Sequence, residues 1–182
     1  MAIQIETERL IVREPRAGDV DGVAQWVTDP EVMRHLGGAP PLERAEIPGV
    51  IERWLRVWRE DRLGHFVAER REDGNLVGRV GFIVWDRRDW VPSSLSQAGA
   101  EAEVELAWTL ARASWGNGYA TEAAAAVREW GRTERNVGRL ISLISPENER
   151  SQRVAERLGA LPTVSILLRG KLPVVVWVHP DA

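Results

Sequence analysis

Apolar positions along this chain change rhythm repeatedly between a period of two and a period of three to four, and each change marks an element. Arg9-Leu-Ile-Val-Arg13 has the β-branched character of a first strand. Val20, Val23, Ala24 and Val27 then recur at helical spacing, with Asp19 placed as N-cap. Asp29-Pro30 breaks that helix and starts a short one reaching His35. Gly37-Gly38-Ala39-Pro40-Pro41 reads as a loop. A helix over 43–61 carries Ile47, Val50, Ile51, Trp54, Leu55 and Trp58 on one side, with Pro48 pushing its start later. Residues 64–69 and 76–85 form a hairpin, for which Glu72-Asp-Gly-Asn75 supplies the turn.

The second half alternates strand and helix. Residues 86–102 are a polar connection, long for a hairpin and therefore mobile or functional. Val104-Glu-Leu-Ala-Trp-Thr-Leu110 alternates cleanly as a strand, residues 121–135 are helical, and 139–144 are again a strand. A helix over 146–158 is closed by Gly159, which suits the residue after a C-cap. Residues 164–168 and 174–178, joined by Arg169-Gly170-Lys171, make a terminal hairpin. This order implies an α/β fold with a mixed sheet and helices on both faces. The two helical crossovers require locally parallel strands. No repeat or linker interrupts residues 1–182, which read as one domain.

Composition narrows the chemistry. The 182 residues are 44% hydrophobic and 28% charged, ordinary for a globular protein. A net charge of −3 without a basic block disfavours nucleic acid and anionic membranes as partners. The absence of cysteine excludes thiolate nucleophiles and disulfides and suits a reducing, cytoplasmic setting. The first residues lack the basic and apolar segments of a secretory leader, and no apolar run reaches a membrane span. His35, His65 and His179 are scattered, so no metal is expected.

Three constellations carry candidate function. Ser114-Trp-Gly-Asn-Gly-Tyr-Ala-Thr-Glu-Ala123 joins the 104–110 strand to the Ala-rich helix. A glycine turn opening a helix presents unpaired N–H groups at the positive end of a helix dipole, a natural seat for phosphate. The third glycine and ribose-binding acid of a dinucleotide fold are missing, and so is the Gly-Lys-Ser/Thr of a P-loop; coenzyme A pyrophosphate fits what remains. In the 146–158 helix, Ser151 lies on the apolar stripe with Val154, Ala155 and Leu158, and Asn148 stands one turn earlier. This pair is either an N-cap with a small core serine or a pair of partners for a ligand's amides. In the 104–110 strand, Glu103 and Glu105 share the face of Ala107 and Thr109: a solvated face at an edge, but the wall of a cavity, with a carboxylate able to act as base, if the strand is central.

Together these residues resemble the GNAT superfamily of acyl-CoA-dependent N-acyltransferases, in its RimJ/RimL-type branch. The resemblance rests on Thr7-Glu-Arg-Leu-x-x-Arg13, Asp29-Pro-Glu-Val-Met33, the 104–110 strand, Trp115-Gly-Asn-Gly-Tyr-Ala-Thr-Glu-Ala123 and Asn148-x-x-Ser151-x-Arg-Val-x-Glu-x-Leu-Gly159. It implies a mostly antiparallel sheet in which two parallel central strands splay into a V. It also implies that Trp108, Thr109 and Leu110 pair their backbone with pantetheine. Trp115, Gly116, Asn117, Gly118, Tyr119, Ala120 and Thr121 then form the phosphate loop, with Asn148 and Ser151 on the second cofactor helix. Glu105 is implied as general base through water. The tyrosine that many members use as acid is replaced by Ala155, which leaves Ser151 as candidate donor.

The expected reaction is direct attack of a primary amine, from a peptide N-terminus or a small molecule, on acetyl-CoA. An α-amine of pKa near 8 is about a tenth neutral at pH 7, far more than a lysine, so α-amines are favoured. Trp54, Trp58, Trp85 and Trp90 are the candidate acceptor residues, each with a core role as its competing reading, and Glu103, Asp86 and Asp89 either attract a cationic amine or simply solvate their loop. A homodimer is compatible with the sequence. The competing reading is a non-catalytic acyl-CoA-binding module, recognisable by a plugged V or by Glu105 withdrawn from the cleft.

Overall fold

In the computed structural model, which describes residues 3–36 and 38–181, the chain begins with β1 (Gln4–Glu6) and β2 (Leu10–Arg13). Helices α1 (Val20–Val27), α2 (Pro30–Met33) and α3 (Ile47–Asp61) follow, and then the hairpin β3 (His65–Arg70) and β4 (Leu76–Asp86). Next come β5 (Val91–Pro92), α4 (Leu95–Ala98) and β6 (Ala102–Leu110). The chain ends with α5 (Tyr119–Arg135), β7 (Leu140–Ile144), α6 (Glu149–Arg157), β8 (Leu161–Leu168) and β9 (Leu172–Val178).

The sheet runs β1-β2-β3-β4-β6-β7-β9-β8, with β5 on the end of β4. Phe66 and Val67, adjacent on β3, enter different apolar clusters, as alternation on a sheet covered on both faces demands. One cluster joins Phe66, Phe82 and Leu106 to Val127 of α5 and Val154 of α6. Gly131 lets α5 approach closely, because a Cβ there would meet Phe82 Cζ at 2.5 Å. The other cluster joins Val67 to Val23 and Trp26 of α1 and to Ile47 and Ile51 of α3.

β6 pairs with β4 along its whole length, Ala102 to Leu110. Its parallel pairing with β7 covers only Val104↔Leu140 and Glu105↔Ile141. Beyond that point β7 follows β9 and no ladder joins it to β6, so the β7-facing edge of β6 opens around Trp108, with side chains taking the Leu106 and Leu110 carbonyls at either end. That divergence is the V.

Several local expectations change. Only the first crossover joins neighbouring parallel strands; β9 lies between β7 and β8, antiparallel to both. The 86–102 connection carries its own elements, β5 and α4, and Ser94 caps α4 by accepting the Gln97 N–H. Asp19 does not cap α1: Arg13 grips its carboxylate at 3.0 and 2.8 Å, and it accepts the Arg16 N–H. Of the loop expected at 37–41, Gly37 lies outside the described residues.

Candidate active site

The glycine turn performs the local task its sequence suggests. After β6, Trp115 donates its indole N–H to the Leu110 carbonyl at 3.0 Å, which fixes the angle at which the chain leaves the strand. Gly116 and Gly118 both take φ near 80°, the left-handed region where a Cβ is penalised, and α5 starts at Tyr119. Among the described residues, the backbone N–H groups from Gly116 to Thr121 have no protein acceptor; the first turn is closed by Glu122 N–H to the Gly118 carbonyl. These six donors sit at the positive end of a 17-residue helix. The hydroxyls of Thr109 and Thr121 are buried beside them, also without a partner among the described residues.

What holds this loop escaped the sequence reading. Arg9 donates to the Asn117 carbonyl (2.9 Å) and to Glu122 Oε2 (2.7 Å), and its guanidinium covers the Tyr119 ring at 4.8 Å. Thr7 donates its hydroxyl to Glu122 Oε1 at 2.6 Å. The Thr7-Glu-Arg-Leu segment was visible as a landmark, but its target is more than a hundred residues away along the chain.

The loop borders a cleft of about 570 Å³ that continues to Trp108, Thr109 and Leu110, and to Asn148 and Ser151 on α6. Arg150, Arg153 and Arg157 add positive charge to its wall, and Arg150 lies 4.1 Å over the Trp115 ring. None of these arginines was singled out from sequence. Asn148 caps α6, its Oδ1 accepting the Ser151 N–H at 3.2 Å; its amide nitrogen has no partner among the described residues, so capping and ligand contact are compatible. Asn117 does not line the cleft: its side-chain amide turns back to the Ser114 and Trp115 carbonyls. An array of free main-chain donors, two orphaned hydroxyls and a free strand edge fits a ligand with a pyrophosphate and an amide-bearing arm.

Through the V this space meets a second cleft of about 520 Å³. Trp108, Asn148 and Ser151 line both. Glu105 lies at the fork, buried. Its Oε2 accepts the Trp85 indole N–H at 2.7 Å and its Oε1 accepts the Leu143 N–H of β7 at 3.2 Å. Burial pushes its carboxyl above the ordinary range, while those donors and the Arg79 charge pull back. On the opposite face of the fork, Ser142 donates its hydroxyl to the Leu106 carbonyl at 2.6 Å. Its oxygen then accepts from Nε2–H of His179, 3.0 Å away. Side chains thus replace ladder bonds where the strands part.

The expected acceptor residues are only partly gathered. Trp85 lines the second cleft. Trp58 belongs to the core, donating to the His65 carbonyl at 2.8 Å and packing on Phe66 and Trp130. Trp54 packs edge-on to His65, and Trp90 packs with the Trp85 and Leu168 cluster; neither lines a cleft. Glu103 pairs with Arg139, and Asp86 with Arg88, so these acids are neutralised away from the cleft. The wall comes instead from Arg79, from Arg34 and Leu36, and from Arg169 and Leu172 at the β8–β9 turn. Ala155, where a tyrosine acid would stand, is fully buried against Ile144 and Trp177. Among the described residues no cluster of side chains could hold a metal, and no helix is long and apolar enough to cross a membrane.

Residues 9–161 match the family described as Acetyltransferase (GNAT) domain. The N-acetyltransferase p20 of Bacillus licheniformis is 26% identical over 153 residues, covering 84% of this chain and 79% of its own. The acetyltransferase structure from Agrobacterium tumefaciens str. C58 superposes with a TM-score of 0.77 at 26% identity, over 98% of this chain and 95% of that one. RimL, a ribosomal L7/L12 alpha-N-protein acetyltransferase solved with coenzyme A, shares the fold at a TM-score of 0.76 and 13% identity, over 98% of each chain. With its V open and Glu105 on the cleft wall, the chain is an acetyl-CoA-dependent N-acetyltransferase that belongs to the GNAT family.

Proposed function

We propose that the two clefts are the two halves of one active site, with acetyl-CoA in the first and the α-amine of a small molecule or peptide N-terminus in the second. The observation that carries this reading is the run of unpaired N–H groups from Gly116 to Thr121, opening onto the free edge of β6. Those amides hold the pyrophosphate, and the Trp108–Leu110 edge holds the pantetheine arm. When bound, acetyl-CoA supplies the acyl group as a thioester.

Every other role falls to side chains at the V. Glu105, its two oxygens oriented by Trp85 and Leu143, accepts the amine's proton through water. Its raised pKa brings it closer to the amine's own, which eases that transfer. Ser151 lines both clefts and its hydroxyl has no partner among the described residues, so it is placed to relay a proton, such as the one lost by the amine, to the departing sulfur. Without cysteine, attack is direct rather than through an enzyme thioester. Holding both reactants in one channel supplies the proximity.

Calorimetry with coenzyme A, followed by acetyl transfer over a panel of α-amines and lysine-like amines, tests this reading. Coenzyme A binding with α-amine turnover is expected. A protein that binds no coenzyme A, or that turns over only ε-amines, would contradict it.

A further inference from the structure

The acceptor cleft contains a positive charge that the acetyl-transfer chemistry does not use. Arg79 sits mid-strand on β4 and lines the second cleft on the same sheet face as Glu105. Among the described residues its guanidinium forms no ion pair. Its side-chain neighbours are two uncharged rings: His65, with Nη1 2.8 Å from Nε2, and Trp54, whose ring centre lies 5.9 Å from the guanidinium carbon. The His65 ring is held neutral, because burial and the Arg79 charge both push its pKa well below the ordinary value. Burial lowers Arg79 itself to about 10, which still leaves it charged at neutral pH. A partly buried, unpaired guanidinium is unfavourable unless something pairs with it.

Register shows where such a partner would lie. Arg79 is opposite Thr109, and Ile83, four residues on, is opposite Glu105. The Cα positions of Arg79 and Glu105 are therefore about 14 Å apart along the sheet. His65 pairs with Gly81, so the guanidinium leans two residues toward Glu105, over a position without a side chain. His65 lies on β3, across β4 from β6, so about 12 Å separates its position from that of Glu105, room for a single amino acid and the water through which Glu105 acts. At the rim, Arg34 and Arg169 outnumber Glu147, and Arg34 is itself paired with Glu31.

We propose that Arg79 reads an anion and that the acceptor is an amine bearing a carboxylate, held with the amine toward Glu105 and the carboxylate on the Arg79 guanidinium. This rests on the second cleft being the acceptor side. The planar guanidinium fork matches a carboxylate and selects it over the isosteric amide. The carboxylate belongs either to a free amino acid or to an acidic N-terminal residue of a peptide.

Transfer is measured at saturating acetyl-CoA for two matched pairs, each compared at equal concentrations of neutral amine. The pairs are L-alanine against L-alaninamide, and tripeptides beginning with glutamate against glutamine. The wild-type protein should favour the carboxylate member of at least one pair by about 10- to 100-fold, the span of a charged hydrogen bond. Arg79→Met should erase that ratio and Arg79→Lys should keep part of it, with coenzyme A affinity unchanged in calorimetry. A response in the first pair alone assigns a free amino acid; one in the second alone assigns an acidic N-terminus. Equal turnover within both pairs, or a ratio that survives Arg79→Met, overturns the proposal. If no pair turns over, binding of N-acetylalanine against N-acetylalaninamide to the coenzyme-A-bound protein decides. An Arg79-dependent preference there upholds the anion site while the α-amine reading fails, and no preference overturns the anion site.

Discussion

At the N-terminus of α5 the cleft is walled by main chain, whereas beyond the fork of β6 and β7 it is walled by side chains. The first half takes its donors from the backbone around Gly116 and Gly118 and the helix that follows, with Arg9 and Glu122 bracing the turn. The second half takes Arg79 from β4, Glu105 from β6, Leu143 from β7 and Arg169 from the last hairpin. In the proposed reading, main chain holds the cofactor and side chains choose the acceptor. A mutation in the first half should therefore weaken the cofactor for every acceptor. One in the second should alter rate or choice and leave the cofactor in place.

Glu105→Gln sharpens that contrast most. It keeps the size of the side chain and removes the base, so kcat should fall by about 10²- to 10⁴-fold. Coenzyme A affinity should stay where it is, since Glu105 lines only the second cleft. The pH–rate profile separates a base from a merely structural acid. In the wild type, kcat/KM should rise with pH as Glu105 loses its proton, and because burial raises its pKa this limb lies above the usual 4.5. In the variant that limb should vanish, leaving only the titration of the amine. Identical limbs in both proteins would take the base role from Glu105.

Gly118→Val addresses the other half. At φ near 80° a β-branched residue is strained by about 1–3 kcal/mol, and relieving the strain turns the N–H array away from its target. Affinity for coenzyme A should drop by about 10- to 100-fold, equally for all acceptors. Wild-type affinity in calorimetry, or a loss confined to one acceptor, would break the division between the halves.

The same division explains what could be read from sequence. The glycine turn is contiguous and lies between a period-two strand and a helix, so its local geometry was legible, and α5 begins only two residues before the expected start. Glu105 was legible because alternation along β6 put it on a face that a central strand must bury. The acceptor wall was not legible. Sequence left Trp54, Trp58 and Trp90 between acceptor wall and core, and only the fold decides: Trp58 packs with Phe66 and Trp130. Arg79 was not singled out from sequence; only the register of three strands shows that it faces the cleft. The β7–β9 pairing that lets β6 go free was equally out of reach, because nothing local says that the last strand inserts beside β7.

The smallest expected effect belongs to the fork itself, which joins the halves. Ser142→Ala removes the donor to the Leu106 carbonyl and the acceptor for His179, both buried. Stability should fall by about 1–2 kcal/mol in urea denaturation, the penalty for buried groups left without partners. His179 gives the pH signature of the intact fork. Burial, followed by Arg128 and Arg132, lowers its pKa from 6.5 to about 4. The unfolded chain therefore binds a proton more readily than the folded one, and its contribution to stability is full above pH 6.5 and is lost as pH falls toward 4. His179→Gln should flatten that part of the stability curve, while coenzyme A affinity at neutral pH changes by less than about 3-fold, within the scatter of a site not in contact with ligand. A wild-type stability curve indifferent to pH between 6.5 and 4 would mean that the imidazole is not held neutral, and the hydrogen bond from Nε2–H to Ser142 would no longer explain how the strands are kept apart.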